Sequence, residues 1–265
     1  VSDSFHTGID LTTEKRFTLS ESTEQLVSSI DKPMKLTVYL DGNLPTGFKK
    51  LAGRAEDIAH AFRSFSKGNF LVEFERPGLG LNDTTKAILY DSLQSMGIHP
   101  TNVKAQQKDG EQTEETLVFP GAVLSNGATQ IGIDFLEGQS NLNGMESLNN
   151  AEALMEFKIA KAIVLLERDE VPMVGYLTGN GEPLDYGVYD LVENVLRKDY
   201  YFKILPIDSV VVIPSDFKAI VIVKPSIPFS RAQRLKIDQY VMQGGKLIWA
   251  VDQLYASMDS LQRSS

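Results

Sequence analysis

Five residues have the types and spacing of a binding or catalytic site, and they are Gly179, Asn180, Gly181, Glu182 and Asp252. The first four form a glycine-rich turn, and the fifth follows an apolar segment, KLIWAV. Glycine-rich turns let the backbone approach a ligand closely, and two carboxylates can divide the roles of general acid and general base. A hydrolase or transferase built on this chain would therefore use Glu182 and Asp252.

Other chemical signatures are missing from the sequence. The turn lacks the third glycine of a dinucleotide fingerprint and the lysine of a P-loop. The chain has no G-x-S-x-G motif and no cysteine, so it has no thiol nucleophile and no disulfide. His6, His60 and His99 show no metal-ligand spacing, and we expect them to be solvated. We predict no catalytic residue, no metal and no cofactor, and hence a binding protein rather than an enzyme.

Composition limits the class of protein. The 265 residues include 26 basic and 35 acidic side chains, for a net charge of −9, and no stretch gathers Lys and Arg into a stripe. Nucleic acid is therefore not an expected partner. Hydrophobic residues make up 42% of the chain, which is typical of folded domains, and the length favours two of them. No apolar run reaches the roughly 20 residues of a membrane-spanning helix.

The N-terminal half alternates strands and helices. An arm over 1–32, with a capping box expected at Ser22 and Gln25, precedes a predicted domain over 33–136. That domain has strands at 35–40 and 70–75, helices at 48–65 and 84–96, and strands at 117–119, 122–125 and through Ile131 and Ile133, with an Asn-Gly hairpin turn. The order resembles a thioredoxin-like fold without its redox cysteines, with Pro120 where that fold commonly has a cis-proline.

A segment rich in Gly, Asn and Ser, 137–150, is the predicted linker, and a helix over 151–169 is expected to connect the two domains. The predicted second domain spans 170–265. Its strands are VPMVGYL, Phe202–Ile207, AIVIV and KLIWAV, and its helices lie at 188–196 and 231–242, the latter with a Ser230–Gln233 capping box. Trp249 is expected in the core.

This strand and helix alternation predicts a parallel sheet, so the fold class is α/β. In parallel sheets ligands bind beyond the carboxyl ends of the strands, so the turn at 178–182, Pro225-Ser226 and Asp252 are expected to gather at one edge. Binding at that edge is a prediction of geometry alone.

Several short segments, in their order and spacing, resemble GldG, the auxiliary component of the gliding-motility ABC transporters of Bacteroidetes. They are Ile9-Asp10-Leu11-Thr12, Phe17-Thr18-Leu19-Ser20, KLTVYLDG, Phe119-Pro120-Gly121, LTGNGE and IDQYVMQGGKLIWAVD. One position departs from the family, whose turn often has histidine where this chain has Asn180.

The resemblance implies a non-catalytic subunit on the periplasmic face of the inner membrane, anchored by a transmembrane segment outside this chain. Its implied partners are an ATP-binding cassette permease and ATPase. It also implies that the second domain resembles the class I glutamine-amidotransferase scaffold without the catalytic cysteine. Because a parallel sheet of this type usually has further strands, we expect the domain to continue beyond Ser265. Two alternatives remain open: a solute receptor with its ligand between the domains, and the hydrolase or transferase that would use Glu182 and Asp252.

Overall fold

The computed structural model describes residues 19–106, 113–138 and 144–251. They divide into two compact units, and the boundary lies between Glu167 and Arg168. The mixed α/β class predicted from the sequence is confirmed. None of the helices in these ranges combines the length and the apolar character that crossing a membrane requires.

The first unit alternates helices and strands along the chain. Its elements are α1 (Glu21–Ser28), β1 (Met34–Val38), α2 (Thr46–Phe65), β2 (Phe70–Phe74), α3 (Asp83–Ser95), β3 (Thr101–Gln106), β4 (Thr113–Val118), β5 (Gly121–Ser125), β6 (Gln130–Asp134) and α4 (Gly144–Glu167).

The main sheet of this unit has the strand order β2-β1-β5-β6. β1 and β2 run parallel because α2 returns the chain between them, whereas β5 is antiparallel to both β1 and β6. The predicted Asn-Gly hairpin joins β5 to β6, with Gly127 at a φ of 87°. The peptide bond that precedes Pro120 is trans.

One core fills the space between this sheet and α1, α2 and α4. The predicted apolar face of α2 is buried there, as Phe48, Leu51, Ala55, Ile58 and Phe62 show. Burial of each large apolar side chain of this kind contributes roughly 1.5–3 kcal/mol. A smaller cluster that includes Leu93, Ile98 and Phe119 lies beside α3.

Three expectations for the first unit need correction. The helix cap is Ser20, whose Oγ accepts the Thr23 N–H at 3.3 Å, because Ser22 already lies inside α1. The strand predicted at 117–119 is the end of β4, but the sequence does not predict β3 or the β3–β4 hairpin, a separate two-stranded sheet whose polar segments show no regular apolar alternation.

The third correction concerns α4. It begins at Gly144, inside the predicted linker, and its apolar side is buried in the first unit's core. Lys50 on α2 explains part of this extension, because its ammonium lies 3.0 Å from Glu152 and donates to Asn149 Oδ1 at 3.5 Å. Tertiary contacts thus stabilise a helical start that composition alone disfavours.

The second unit is built on a parallel sheet. Its elements are β7 (Met173–Thr178), a 3-10 turn (Tyr186–Val188), a π-helical segment (Asp190–Leu196), α5 (Arg197–Asp199), β8 (Tyr201–Pro206), a second 3-10 turn (Ile207–Ser209), β9 (Phe217–Val223), α6 (Arg231–Met242) and β10 (Lys246–Ala250).

The four strands lie in the order β10-β9-β7-β8, and every neighbouring pair is parallel. β9 is a central strand with four consecutive buried residues, as its continuous apolar sequence predicts. Ile237 and Tyr240 of α6 cover one face of the sheet. Val188, Val192 and Leu196 cover the other, and the regular helix predicted there is a 3-10 turn followed by a π-helical segment.

Trp249 departs from its predicted core position. Among the described residues β10 is an edge strand, and Trp249 is 45% exposed with its ring packed edge-on against Phe229 at 5.6 Å.

Candidate functional site

The carboxyl edge of the parallel sheet has one topological switch point, between β7 and β9. The chain leaves β7 to form β8 on one side, and β9 then lies on the other side of β7. Loops that diverge at such a point leave the crevice in which open α/β sheets bind their ligands. The predicted turn 178–182 follows β7 and Pro225-Ser226 follows β9, so the structure brings these two segments together.

Asn180 bridges the two loops through its backbone. Its carbonyl oxygen accepts two hydrogen bonds, from the N–H of Ser226 at 2.9 Å and from the N–H of Ile227 at 2.8 Å. The Ser226 hydroxyl also donates to the Gly181 carbonyl at 3.3 Å. The protein's own backbone therefore spans the position where the two loops would otherwise diverge.

The side chain of Asn180 extends the same network into α6. Its Nδ2 donates to Gln233 Oε1 at 3.1 Å and to the Pro228 carbonyl at 3.3 Å, and the residue is only 2% exposed. Gln233 in turn donates from Nε2 to both carboxylate oxygens of Asp208, at 2.9 and 3.1 Å. A series of hydrogen bonds through the Asn180 and Gln233 side-chain amides thus connects the ends of β7 and β8 to the first turn of α6.

Glu182 closes the turn from within. Its Oε2 accepts the backbone N–H of Asn180 at 2.7 Å, and the side chain is buried. Two buried oxygens of this site, Asn180 Oδ1 and Glu182 Oε1, have no donor among the described residues. Because an acceptor buried without a donor carries a desolvation cost, these two atoms are the least satisfied part of the network.

The two glycines permit this geometry. Gly179 and Gly181 have φ values of 127° and 80°, which side-chain-bearing residues rarely adopt. A Cβ on Gly181 would collide with the Ser226 hydroxyl, whereas a Cβ on Gly179 would meet Ile207 Cγ2 at 3.1 Å. Gly181 is thus required both by its conformation and by the close approach of the second loop.

Tyr176 lies beneath the turn. The residue is fully buried, and its hydroxyl donates to the Pro183 carbonyl at 2.6 Å. Burial, together with the negative charges of Glu182 and Asp185, raises the pKa of the Tyr176 phenol to about 12. The phenol therefore remains a hydrogen-bond donor at neutral pH.

The predicted site residues separate into two groups. Gly179, Asn180, Gly181 and Glu182 form one network, but the Asn180 and Glu182 side chains point inward and hold the turn. Asp252 lies outside the described residues. Binding at this edge stays a prediction.

Gln233 and Asp208 are central to the network, and sequence reasoning assigned them no such role. The sequence predicts the Ser230–Gln233 capping box, but a capping box gives no sign that the Gln233 amide also contacts Asn180, 53 residues earlier.

An exposed aromatic surface lies next to this edge. Tyr186 is 91% exposed and Tyr189 is 54% exposed, and their rings stack with centroids 6.4 Å apart. Leu184 is also about half exposed. Tyrosine is enriched in protein interfaces, so this surface, which we call the Tyr186 surface, has the composition of a contact region. The sequence does not predict this surface, because tyrosines in an irregular segment show neither a helical nor a strand period.

Histidine and metal chemistry receive no support from the geometry. His60 and His99 are exposed, and His99 Nδ1 lies 3.2 Å from Asp134 Oδ2 in the first unit. Across the described ranges, no group of three or more His, Asp or Glu side chains is placed to hold a metal ion.

Two family models match the chain. Residues 171–265 match a family described as an ABC-type uncharacterized transport system. Residues 13–125 match a domain of unknown function, DUF7088. No curated protein and no solved structure matches the chain. The second unit is therefore similar to a transport-associated family.

Proposed function

From the match of residues 171–265 to the transport family, we propose that the chain is the non-catalytic, extracytoplasmic part of an auxiliary ABC-transporter subunit of the GldG type. It acts by binding the permease, the cargo or both. The observation that carries this proposal besides the match is the bridged switch point, where Asn180 accepts hydrogen bonds from the loop that follows β9.

The bridge favours a binding role over catalysis for a physical reason. A catalytic carboxylate must reach a substrate, but Glu182 is 8% exposed and one of its oxygens is already held by the Asn180 N–H. The Glu182 carboxylate already holds its own turn before any substrate binds, so it has little additional interaction to offer a transition state.

The finer assignments of fold belong to the same proposal. The strand order β2-β1-β5-β6, with one parallel and two antiparallel pairings, supports a thioredoxin-like first unit. The all-parallel order β10-β9-β7-β8 supports a glutamine-amidotransferase-like second unit. Neither scaffold carries cysteine here, because the chain has none.

A subunit of this type works at the periplasmic face of the inner membrane, held by a transmembrane segment outside this chain. On that side it cannot touch ATP, so it influences transport by binding one permease or cargo state better than another. The Tyr186 surface is the contact region we assign to the permease, because it is exposed, aromatic and adjacent to the rigid network.

The test uses the full-length protein in its native membrane. We expect it to co-purify with a permease and an ATPase, and we expect the Tyr186→Ala/Tyr189→Ala variant to lose that association and the transport or gliding phenotype. The matched control is Tyr201→Ala, which removes another half-exposed tyrosine of the same unit. If the double variant is expressed normally and its association and phenotype are unchanged, the Tyr186 surface is not the contact region for the permease. A full-length product that is wholly cytosolic would refute the proposed role.

A further inference from the structure

A cleft of about 420 Å³ opens in the first unit at the carboxyl ends of β1 and β2. Because these strands are parallel, the segments that follow them emerge at the same edge, which is the usual ligand position in α/β sheets. Asp41 and Asn43 follow β1, and Arg76 follows β2. Lys86 and Tyr90 of α3 form a further wall. The volume is that of a small-molecule site.

Charge distinguishes this cleft from the rest of the chain. Arg76 and Lys86 line it, and Asp41 is the one carboxylate among the lining residues, although the whole protein carries a net charge of −9. Within the described ranges neither cation has an acidic partner within ion-pair distance. Lys86 instead lies 5.7 Å from the centre of the Tyr90 ring.

Two glycines accommodate the two cationic side chains. A Cβ on Gly42 would meet Arg76 Cδ at 3.1 Å, and a Cβ on Gly78 would meet Lys86 Cγ at 2.9 Å. Both glycines have positive φ, 102° and 79°. The absence of a Cβ at these two positions, one in the β1–α2 loop and one in the β2–α3 loop, therefore leaves room for both cationic side chains.

Polar groups line the rest of the cleft. Tyr39 is 9% exposed, lines the cleft, and its hydroxyl has no hydrogen-bond partner among the described residues. Burial and the charge of Glu75 raise the pKa of the Tyr39 phenol, so it stays a donor. The Asp41 carboxylate accepts hydrogen bonds, and the Asn43 amide both donates and accepts them. Such a lining suits hydroxyl groups.

We propose that this cleft binds a small hydroxylated anion, a sugar acid or a sugar phosphate. Arg76 and Lys86 hold its anionic group, and Asp41, Asn43 and Tyr39 hold its hydroxyls. The inference is independent of the transport role, because it rests on residues of the first unit alone.

The experiment is isothermal titration calorimetry on the whole chain with four probes: glucuronate, glucose 6-phosphate, glucose and inorganic phosphate. We expect at least one of the two sugar anions to bind with a Kd below about 1 mM. Glucose should bind about tenfold more weakly or worse, because it lacks the charge-assisted hydrogen bonds. Preference for glucuronate or for glucose 6-phosphate identifies the anionic group as carboxylate or phosphate.

Variants locate the site. Arg76→Gln and Lys86→Gln should each weaken the preferred probe about tenfold. Arg63→Gln is the matched control, because Arg63 lies in the last turn of α2 and does not line the cleft. This substitution should not change the affinity. Melting temperatures of all three variants show that each remains folded. Binding of neither sugar anion, equal binding of glucose, or equal weakening by Arg63→Gln would overturn the proposal. Inorganic phosphate binding as tightly as glucose 6-phosphate would overturn the role of the hydroxyls.

Discussion

At the level of single residues, Asn180 lies at the switch point between β7 and β9, where open α/β sheets commonly bind their ligands. Its carbonyl and amide provide the hydrogen bonds that span the loops after β7 and β9. The sequence identified this turn from its glycines. It could not show that Asn180 points inward, because the partners that bury the side chain lie about fifty residues further along the chain.

Gly181→Ala tests the close approach of the two loops. The substitution places a methyl group against the Ser226 hydroxyl and forces a strained φ of 80°. The matched control is Gly244→Ala in the same unit, where φ is 92° and no atom lies within 4 Å of the new Cβ. We expect a cost of about 1 kcal/mol for the control. For Gly181→Ala we expect roughly 1–3 kcal/mol more.

Urea unfolding of the two glycine variants measures these costs. Equal destabilisation would mean that the Ser226 loop moves away freely and that the bridge is not rigid.

The raised pKa of Tyr176 predicts how the stability of the protein depends on pH. Its phenol pKa is raised from 10.0 to about 12 in the folded protein, first by burial and then by Glu182 and Asp185. The neutral phenol therefore favours the folded state, and its contribution is complete below pH 10 and is lost as the pH rises through about 12.

Urea unfolding across that pH range provides the measurement. Tyr176→Phe should be less stable than the wild type at pH 7, because the bond to Pro183 is lost, but its stability should fall less steeply above pH 10. Tyr186→Phe, at a 91% exposed position, should keep the wild-type stability at pH 7. Parallel profiles for wild type and Tyr176→Phe would contradict the assignment.

At the level of elements, α6 is held by its first turn. Ser230 Oγ accepts the Gln233 N–H at 3.2 Å, and Gln233 Oε1 accepts the Ser230 N–H at 2.8 Å. The same Gln233 amide is also bonded to Asn180 and Asp208. Loss of the Gln233 side chain should therefore remove the hydrogen bonds to Asn180 and Asp208 as well as the helix cap.

Three substitutions in α6 separate the cap from the network. We expect Ser230→Ala to cost about 1 kcal/mol, as for other caps. Gln233→Ala should cost roughly 2 kcal/mol or more, because it also leaves the buried Asn180 amide without this partner. Gln239→Ala, an exposed position of the same helix, should change stability by less than about 0.5 kcal/mol. Equal costs for Ser230→Ala and Gln233→Ala, measured by chemical denaturation, would show that the network adds nothing beyond the cap.

For the whole molecule, the sequence predicted the elements with a strong period or an uninterrupted apolar run. The buried face of α2 and the central strand β9 are examples. It failed where neighbours outweigh local preference. The first two turns of α4 contain Gly, Asn and Ser but pack beside α2, where Leu148 occupies the space next to Gly47. Trp249 is apolar enough for a core, but strand order places it at an edge among the described residues, and strand order is not encoded locally.

Strand order also determines how each sheet can grow while the chain is being synthesised. In the second unit β8 joins β7, β9 then joins the free side of β7, and β10 joins β9, so each new strand adds to an existing edge. The first sheet grows in the same order, because β2 joins β1, β5 joins the free side of β1 and β6 joins β5. However, β5 follows β1 by about 85 residues, and the core that contains Val27 of α1 is complete only when Ile163 and Leu166 of α4 have emerged. The first unit therefore exposes an unfinished core to the cell's chaperones and proteases until α4 has emerged.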